Sequence, residues 1–220
     1  LMGRDPLDRP FVCLVVSGGH SALYLVDREG RGDLLGCTRD DAAGEAFDKV
    51  AKLLGLGYPG GMVIDGLARE GNAGAFQFPK AFLEKESLDF SFSGIKTSVA
   101  NFVRKYGLPP ARGQTGVYRL EDLVASFQEA VVEVLVKKTI RAAHFRQVTD
   151  VAVVGGVAAN RRLRELLVEE TAYHRLHLHL PEPRYCTDNA VMIAAAGYHV
   201  WRRQGFCQDP LEVDAVSRWL

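Results

Sequence analysis

Four cysteines in 220 residues, none of them in a Cys-x-x-Cys pair, leave no basis for a disulfide framework or a zinc ribbon. Cys13, Cys37, Cys186 and Cys207 are scattered, so reduced thiols and a cytoplasmic location are expected. No stretch approaches the roughly 20 uninterrupted apolar residues that a membrane-spanning helix needs. The opening residues, Leu1-Met2-Gly3-Arg4-Asp5, lack the apolar core of a secretory signal. Charge of one sign is missing too: 27 Lys and Arg balance 27 Asp and Glu. A general polyanion binder is usually basic, so any contact with nucleic acid must come from a local patch or from a partner. There is no His-Glu-x-x-His helix, which argues against a zinc protease. Internal repeats, low-complexity tracts and obvious linkers are also lacking.

What remains is an ordinary globular chain, 47% hydrophobic, long enough for one large domain or two small ones with a real core. Phe11 to Val16 is a short apolar run ending at Ser17-Gly18-Gly19, the pattern of a buried strand entering a tight turn. Ser21 to Val26 and Asp33 to Thr38 read as its neighbours. Asp40 and Asp41 are placed to open a helix running to about Leu54, and a second helix follows Gly61 through Ala68. Residues 76 to 93 read as irregular, 94 to 106 as a helix, 109 to 116 as a polar loop. Leu120, Leu123, Val124, Phe127, Val131, Val134 and Leu135 recur at helical spacing and predict a long helix over about 120 to 145. Val151 to Val154 is a strand, about 158 to 171 a helix, 174 to 180 a strand and about 187 to 204 a last helix. Strands alternating with helices in this order predict an α/β fold, a mixed sheet covered by helices.

Several segments have the residue types for binding chemistry, each with a plain structural alternative. In Val15-Val16-Ser17-Gly18-Gly19-His20-Ser21 the glycines let backbone N–H groups approach an anion, although a hairpin turn needs glycine as well. Gly155-Gly156-Val157-Ala158-Ala159-Asn160 delivers two glycines from a strand to a helix N-terminus, which favours a phosphate, while Asn160 suits a ribose or a base edge. A tight strand-to-helix turn explains the same residues, and the third glycine of a dinucleotide fingerprint is missing. Asp48, which follows Ala46-Phe47, and Asp65, four residues after Gly61, suit ribose hydroxyls or are simply helix charges. Asp188 follows Thr187, a good N-cap, and serves either a helix dipole or a divalent metal. His177 and His179 share a strand face. The notable basic concentration is Arg161, Arg162 and Arg164 with Lys137, Lys138 and Arg141, a solvated face or a surface for RNA phosphates.

Six blocks in order resemble one family. They are Leu14-Val15-Val16-Ser17-Gly18-Gly19-His20-Ser21, Asp40 to Lys49 (DDAAGEAFDK), Tyr58-Pro59-Gly60-Gly61, Phe90 to Thr97 (FSFSGIKT), Val154 to Asn160 (VGGVAAN) and Cys186-Thr187-Asp188-Asn189-Ala190. Together they resemble the tRNA threonylcarbamoyltransferases of the TsaD family, formerly described as O-sialoglycoprotein endopeptidases. The resemblance implies an actin-like ATPase fold, shared with sugar kinases and Hsp70, of which residues 1–220 would be mainly the second lobe. It implies that Val15, Val16, Ser17, Gly18 and Gly19 line the substrate site. Asp48, Gly61, Asp65 and Asn160 would contact an adenylate, and Asp188 would bind one divalent metal, iron or zinc.

The implied reaction transfers a threonylcarbamoyl group from its adenylate to the adenosine beside the anticodon of tRNA, with TsaB-like and TsaE-like partner proteins. Family members also carry an N-terminal lobe of roughly another hundred residues, with a His-x-x-x-His metal pair. None of His20, His144, His174, His177, His179 and His199 forms such a pair. The chain is therefore expected to be part of a longer protein, its last helix reaching towards the missing lobe and its metal binding and activity limited alone. A sugar or acetate-type kinase of the same fold and a non-catalytic scaffold subunit are the competing readings.

Overall fold

A computed structural model describes residues 7–81, 86–109 and 116–206. The expected polar loop at 109 to 116 lies mostly outside these, as does Cys207. The chain divides into two compact units, one ending at Cys186 and one beginning at Thr187.

The first unit is built on three antiparallel strands, β1 (Phe11–Val16), β2 (Ser21–Val26) and β3 (Gly32–Cys37). Helices α1 (Ala43–Leu53), α2 (Gly60–Ala68), α3 (Ser93–Tyr106) and α4 (Leu120–Arg146) follow. Strand β4 (Asp150–Val154), helix α5 (Arg161–Tyr173) and the short strand β5 (His177–His179) complete it. The five strands lie in the order β3-β2-β1-β4-β5, with β1, β4 and β5 parallel. The second unit contains α6 (Ala190–Gln204), which buries no residue.

Period-two patterning places Val12, Leu14 and Val16 of β1 at zero exposure on one face of the sheet. Apolar residues run around most of α4, and 18 of its 27 residues are buried, as expected of a helix enclosed by its neighbours. Its Phe127 meets Phe47 of α1 edge to face, with ring centroids 5.3 Å apart.

Several boundaries differ from expectation, most of them for a hydrogen-bonding reason. Helix α1 opens at Ala43, not at the acidic pair, because Ser21 Oγ on β2 accepts from the Ala43 N–H at 2.9 Å. Asp40 turns instead to α3, accepting from the Phe92 N–H and from the Ser91 and Ser93 hydroxyls, while Asp41 holds Lys49. Beyond β4 a 3-10 turn spans Gly156–Ala159, and α5 begins only at Arg161, capped by the Asn160 side chain. His174 ends α5 instead of opening a strand, and β5 shrinks to three residues. At α6 the cap is Asn189, whose Oδ1 accepts from the Met192 N–H at 3.0 Å, so neither Thr187 nor Asp188 caps that helix.

Candidate functional site

Parallel pairing of β1 with β4 sets their carboxyl ends side by side, with Val15 opposite Val154. Ser17-Gly18-Gly19 and Gly155-Gly156 leave those ends together, at the edge where α/β sheets receive ligands. Gly155 makes the junction, because a Cβ there would lie 2.2 Å from the Val16 carbonyl oxygen, and its φ of +99° also suits only glycine. Added Cβ atoms at Gly18, Gly19 and Gly156 meet nothing within 4 Å. These three glycines face open space, the condition for backbone N–H groups to reach a ligand.

The turn after β1 is held by its own atoms. Ser17 N–H donates to the His20 carbonyl at 2.8 Å, and His20 N–H donates to Ser17 Oγ at 3.1 Å. Helix α1 abuts the same turn through Gly44, where a Cβ would sit 2.5 Å from the Ser17 carbonyl oxygen. Sequence alone does not single out Gly44; the small-residue run Ala42-Ala43-Gly44 is the signal that a helix start must come this close.

Helix α2 meets α1 through Gly60, whose N–H donates to Asp48 Oδ1 at 2.8 Å. Asp48 lines a cleft of about 480 Å³ together with Glu45, Lys49, Lys52, Gly55, Gly57 and Tyr58. One turn along α2 from Gly61, where an added Cβ meets only Phe47 Cβ at 4.0 Å, lies Asp65. Its Oδ1 is buried without a hydrogen-bond partner, and its Oδ2 is 3.9 Å from Arg69. A buried carboxylate oxygen left unpaired is costly unless a ligand or water completes it.

Two expected site residues have prior structural duties. The Val16 side chain is wholly buried in the core, so Val16 offers a ligand only its backbone. Asn160 uses Oδ1 to cap α5 at Leu163 N–H, 2.9 Å away, and donates Nδ2 to Gln128 Oε1 at 2.7 Å.

Most of the basic cluster is already engaged. Arg162 makes a bidentate pair with Glu129, Arg161 pairs with Glu165, and Lys137 with Glu133. Arg164 reaches the Ala158 and Pro181 carbonyls. Lys138 is fully buried, donates to the Ser87 and Asp89 carbonyls, and is pushed below the usual lysine range by that burial. Nor is there an activated thiol at Cys13, which burial pushes up to about 11. Among the described residues no group of three or more His, Cys, Asp or Glu side chains could hold a metal ion. Asp188 is exposed and lies in the second unit. No helix of the described residues is long and apolar enough to cross a membrane.

A family model described as TsaD, tRNA N6-adenosine threonylcarbamoyltransferase, matches residues 1–195. The chain belongs to the TsaD family. A protein of Syntrophobacter fumaroxidans named tRNA N6-adenosine threonylcarbamoyltransferase is 67% identical over 99% of this chain and 64% of its own length. One of the same name from Syntrophus aciditrophicus is 53% identical over 96% of the chain and 60% of its own length. The chain thus spans somewhat under two thirds of these TsaD relatives. Solved structures carry the fold at low identity. Full-length HypF in a phosphate- and nucleotide-bound form superposes with a TM-score of 0.67 at 12% identity, over 91% of this chain and 41% of HypF. The activator of 2-hydroxyisocaproyl-CoA dehydratase from Clostridium difficile, with bound ADPNP, gives 0.52 at 17%, over 96% of this chain and 66% of its own. The fold is the actin-like ATPase fold, as the TsaD resemblance implies.

Proposed function

We propose that this chain is the adenylate-holding part of a tRNA N6-adenosine threonylcarbamoyltransferase. It corresponds mainly to the second lobe of the actin-like fold, and α6 reaches towards a first lobe. One observation carries the reading. Two glycine turns leave the parallel strands β1 and β4 side by side, and three of their glycines face open space.

In this reading the backbone N–H groups of Gly18, Gly19 and Gly156 take the adenylate phosphate, the group that leaves when the acyl bond breaks. Ser17 and the Val15–Val16 backbone hold the neighbouring part of the substrate. Asp48 keeps one carboxylate oxygen on Gly60 N–H and turns the other to a ribose hydroxyl. The unpaired Oδ1 of Asp65 accepts a second hydroxyl, and Gly61 keeps the approach open. Asn160 fixes the start of α5, so that the helix dipole points at the ligand, with one Nδ2 hydrogen left to give.

The reaction is acyl transfer: the exocyclic amine of the tRNA adenosine attacks the carbamoyl carbon, AMP departs with the electrons of the broken C–O bond, and the amine's proton passes to solvent. Asp188 would be one ligand of an iron or zinc ion. That ion would polarise the carbamoyl carbonyl as a Lewis acid, and its remaining ligands would come from outside the described residues. TsaB-like and TsaE-like proteins are the partners that the reading implies, and the cytoplasm is its location.

A direct test supplies threonylcarbamoyl-adenylate and an unmodified tRNA transcript to the chain, alone and together with the remaining length of its Syntrophobacter relative. Modified adenosine and an equal amount of AMP are expected in the second mixture. ATP-dependent phosphorylation of a sugar or of acetate without tRNA, and no modified adenosine, would replace this reading with the kinase one.

A further inference from the structure

At the opposite end of the sheet from the glycine turns, two histidines from different helices converge. His144 lies in the last turn of α4, three residues before the left-handed Gln147 that leads to β4. His174 is the C-cap of α5, three residues before β5. Because β4 and β5 are parallel, both helices end at the amino ends of their strands. Topology therefore brings the two rings together, whatever happens in the adenylate cleft.

Nε2 of His144 lies 3.1 Å from Nδ1 of His174, and the ring centroids are 4.9 Å apart with planes at 69°. The N···N distance plus two ring radii exceeds that centroid separation, so the lone-pair axes meet at an angle instead of facing head-on. Two imidazoles bound to one zinc at about 2.0–2.1 Å place their nitrogens about 2.9–3.3 Å apart for bond angles from square to tetrahedral. The observed spacing, at which one ring hydrogen-bonds the other without an ion, falls inside that range. On the far side of the His174 ring, Nε2 is 3.7 Å from Glu170 Oε2. The contact is longer than a hydrogen bond, but the carboxylate lies behind the ring, on the side away from His144. His144 is exposed and His174 half-buried, so water can complete the coordination.

We propose that His144 and His174 chelate a zinc-like divalent ion, with Glu170 as the positioning residue behind His174. The site ties the end of α4 to the end of α5. It shares no residue with the glycine turns, and it stands or falls independently of the proposed function. Imidazole nitrogen selects zinc, nickel or copper over magnesium and calcium. Two protein ligands give weaker binding than the three of a catalytic zinc site.

The probe is zinc chloride, titrated into the intact chain by calorimetry, with magnesium chloride as the control. One zinc per chain is expected to bind in the micromolar range and raise Tm. His144→Ala and His174→Ala should each weaken binding more than about tenfold, and Glu170→Gln several-fold. His177→Ala, on the exposed start of β5, should leave it unchanged. Imidazole ¹⁵N spectra of the unaltered chain give a readout that needs no variant to fold. Zinc should move the resonances of His144 Nε2 and His174 Nδ1 together. Zinc affinity retained in both alanine variants, or ¹⁵N shifts confined to other histidines, would overturn the assignment, as would no zinc binding at all.

Discussion

At Gly155 an added Cβ would press on the Val16 carbonyl oxygen at 2.2 Å, and at Gly156 the same atom would meet nothing within 4 Å. The two neighbours therefore answer to different constraints. Gly155 lets β4 and β1 leave the sheet in contact, while Gly156 leaves room for something else. Gly155→Ala is expected to destabilise the fold by about 2 kcal/mol or more, through the backbone clash and the left-handed φ. Gly156→Ala should stay within about 0.5 kcal/mol. Urea denaturation of the two variants checks this, and equal losses would mean that both glycines are structural. Side-chain duties at this scale were only partly legible. A carboxylate four residues after Gly61 is visible in the sequence, but its buried, unpaired oxygen is not. Asn160 reads as a ligand contact and proves first to be a cap, because only the fold brings Gln128 to its amide.

Elements were more legible than their ends. Long periodic runs such as α4 and the alternating β1 announce themselves, because burial on one face or all round leaves its period in the sequence. The ends were decided by partners distant in sequence. Ser21 completes the start of α1, and Asp40, expected at that start, is drawn to α3, 52 residues away at Phe92.

The sheet's far edge shows the same logic in its charges. Asp150, fully buried at the start of β4, receives His179 Nε2 at 2.8 Å, the Thr149 hydroxyl at 2.8 Å and the Arg9 guanidinium at 2.9 Å. Burial pushes its carboxyl up. The His179 and Thr149 bonds and the Arg9 charge outweigh that and hold it below the usual range. A folded-state value below the unfolded one contributes stability that is present above the ordinary aspartate range and fades as pH falls through the folded value. Asp150→Ala should cost about 3 kcal/mol or more at neutral pH and flatten the acid side of a stability-against-pH curve. Thermal melts from pH 7 down to pH 3 decide it. An unchanged curve would leave the buried carboxylate without a role in stability.

Across the whole molecule, six motif blocks in order were enough to anticipate both the actin-like fold and the TsaD family. Individually they were weak, and the structure explains why: the glycine turns, the start of α1 and the Asp48–Gly60 contact are joined by close backbone approach, which no single motif shows. The metal is where the sequence carries least. Asp188 is one oxygen donor in a unit of its own, and the chain covers somewhat under two thirds of its curated relatives. The central claim is that the paired glycine turns hold an adenylate, and calorimetric titration of AMP into the chain and into Gly156→Val tests it most directly. The account predicts at least a tenfold loss of affinity, about 1.4 kcal/mol, with circular dichroism and Tm unchanged. Unaltered AMP affinity in a folded Gly156→Val chain would contradict it.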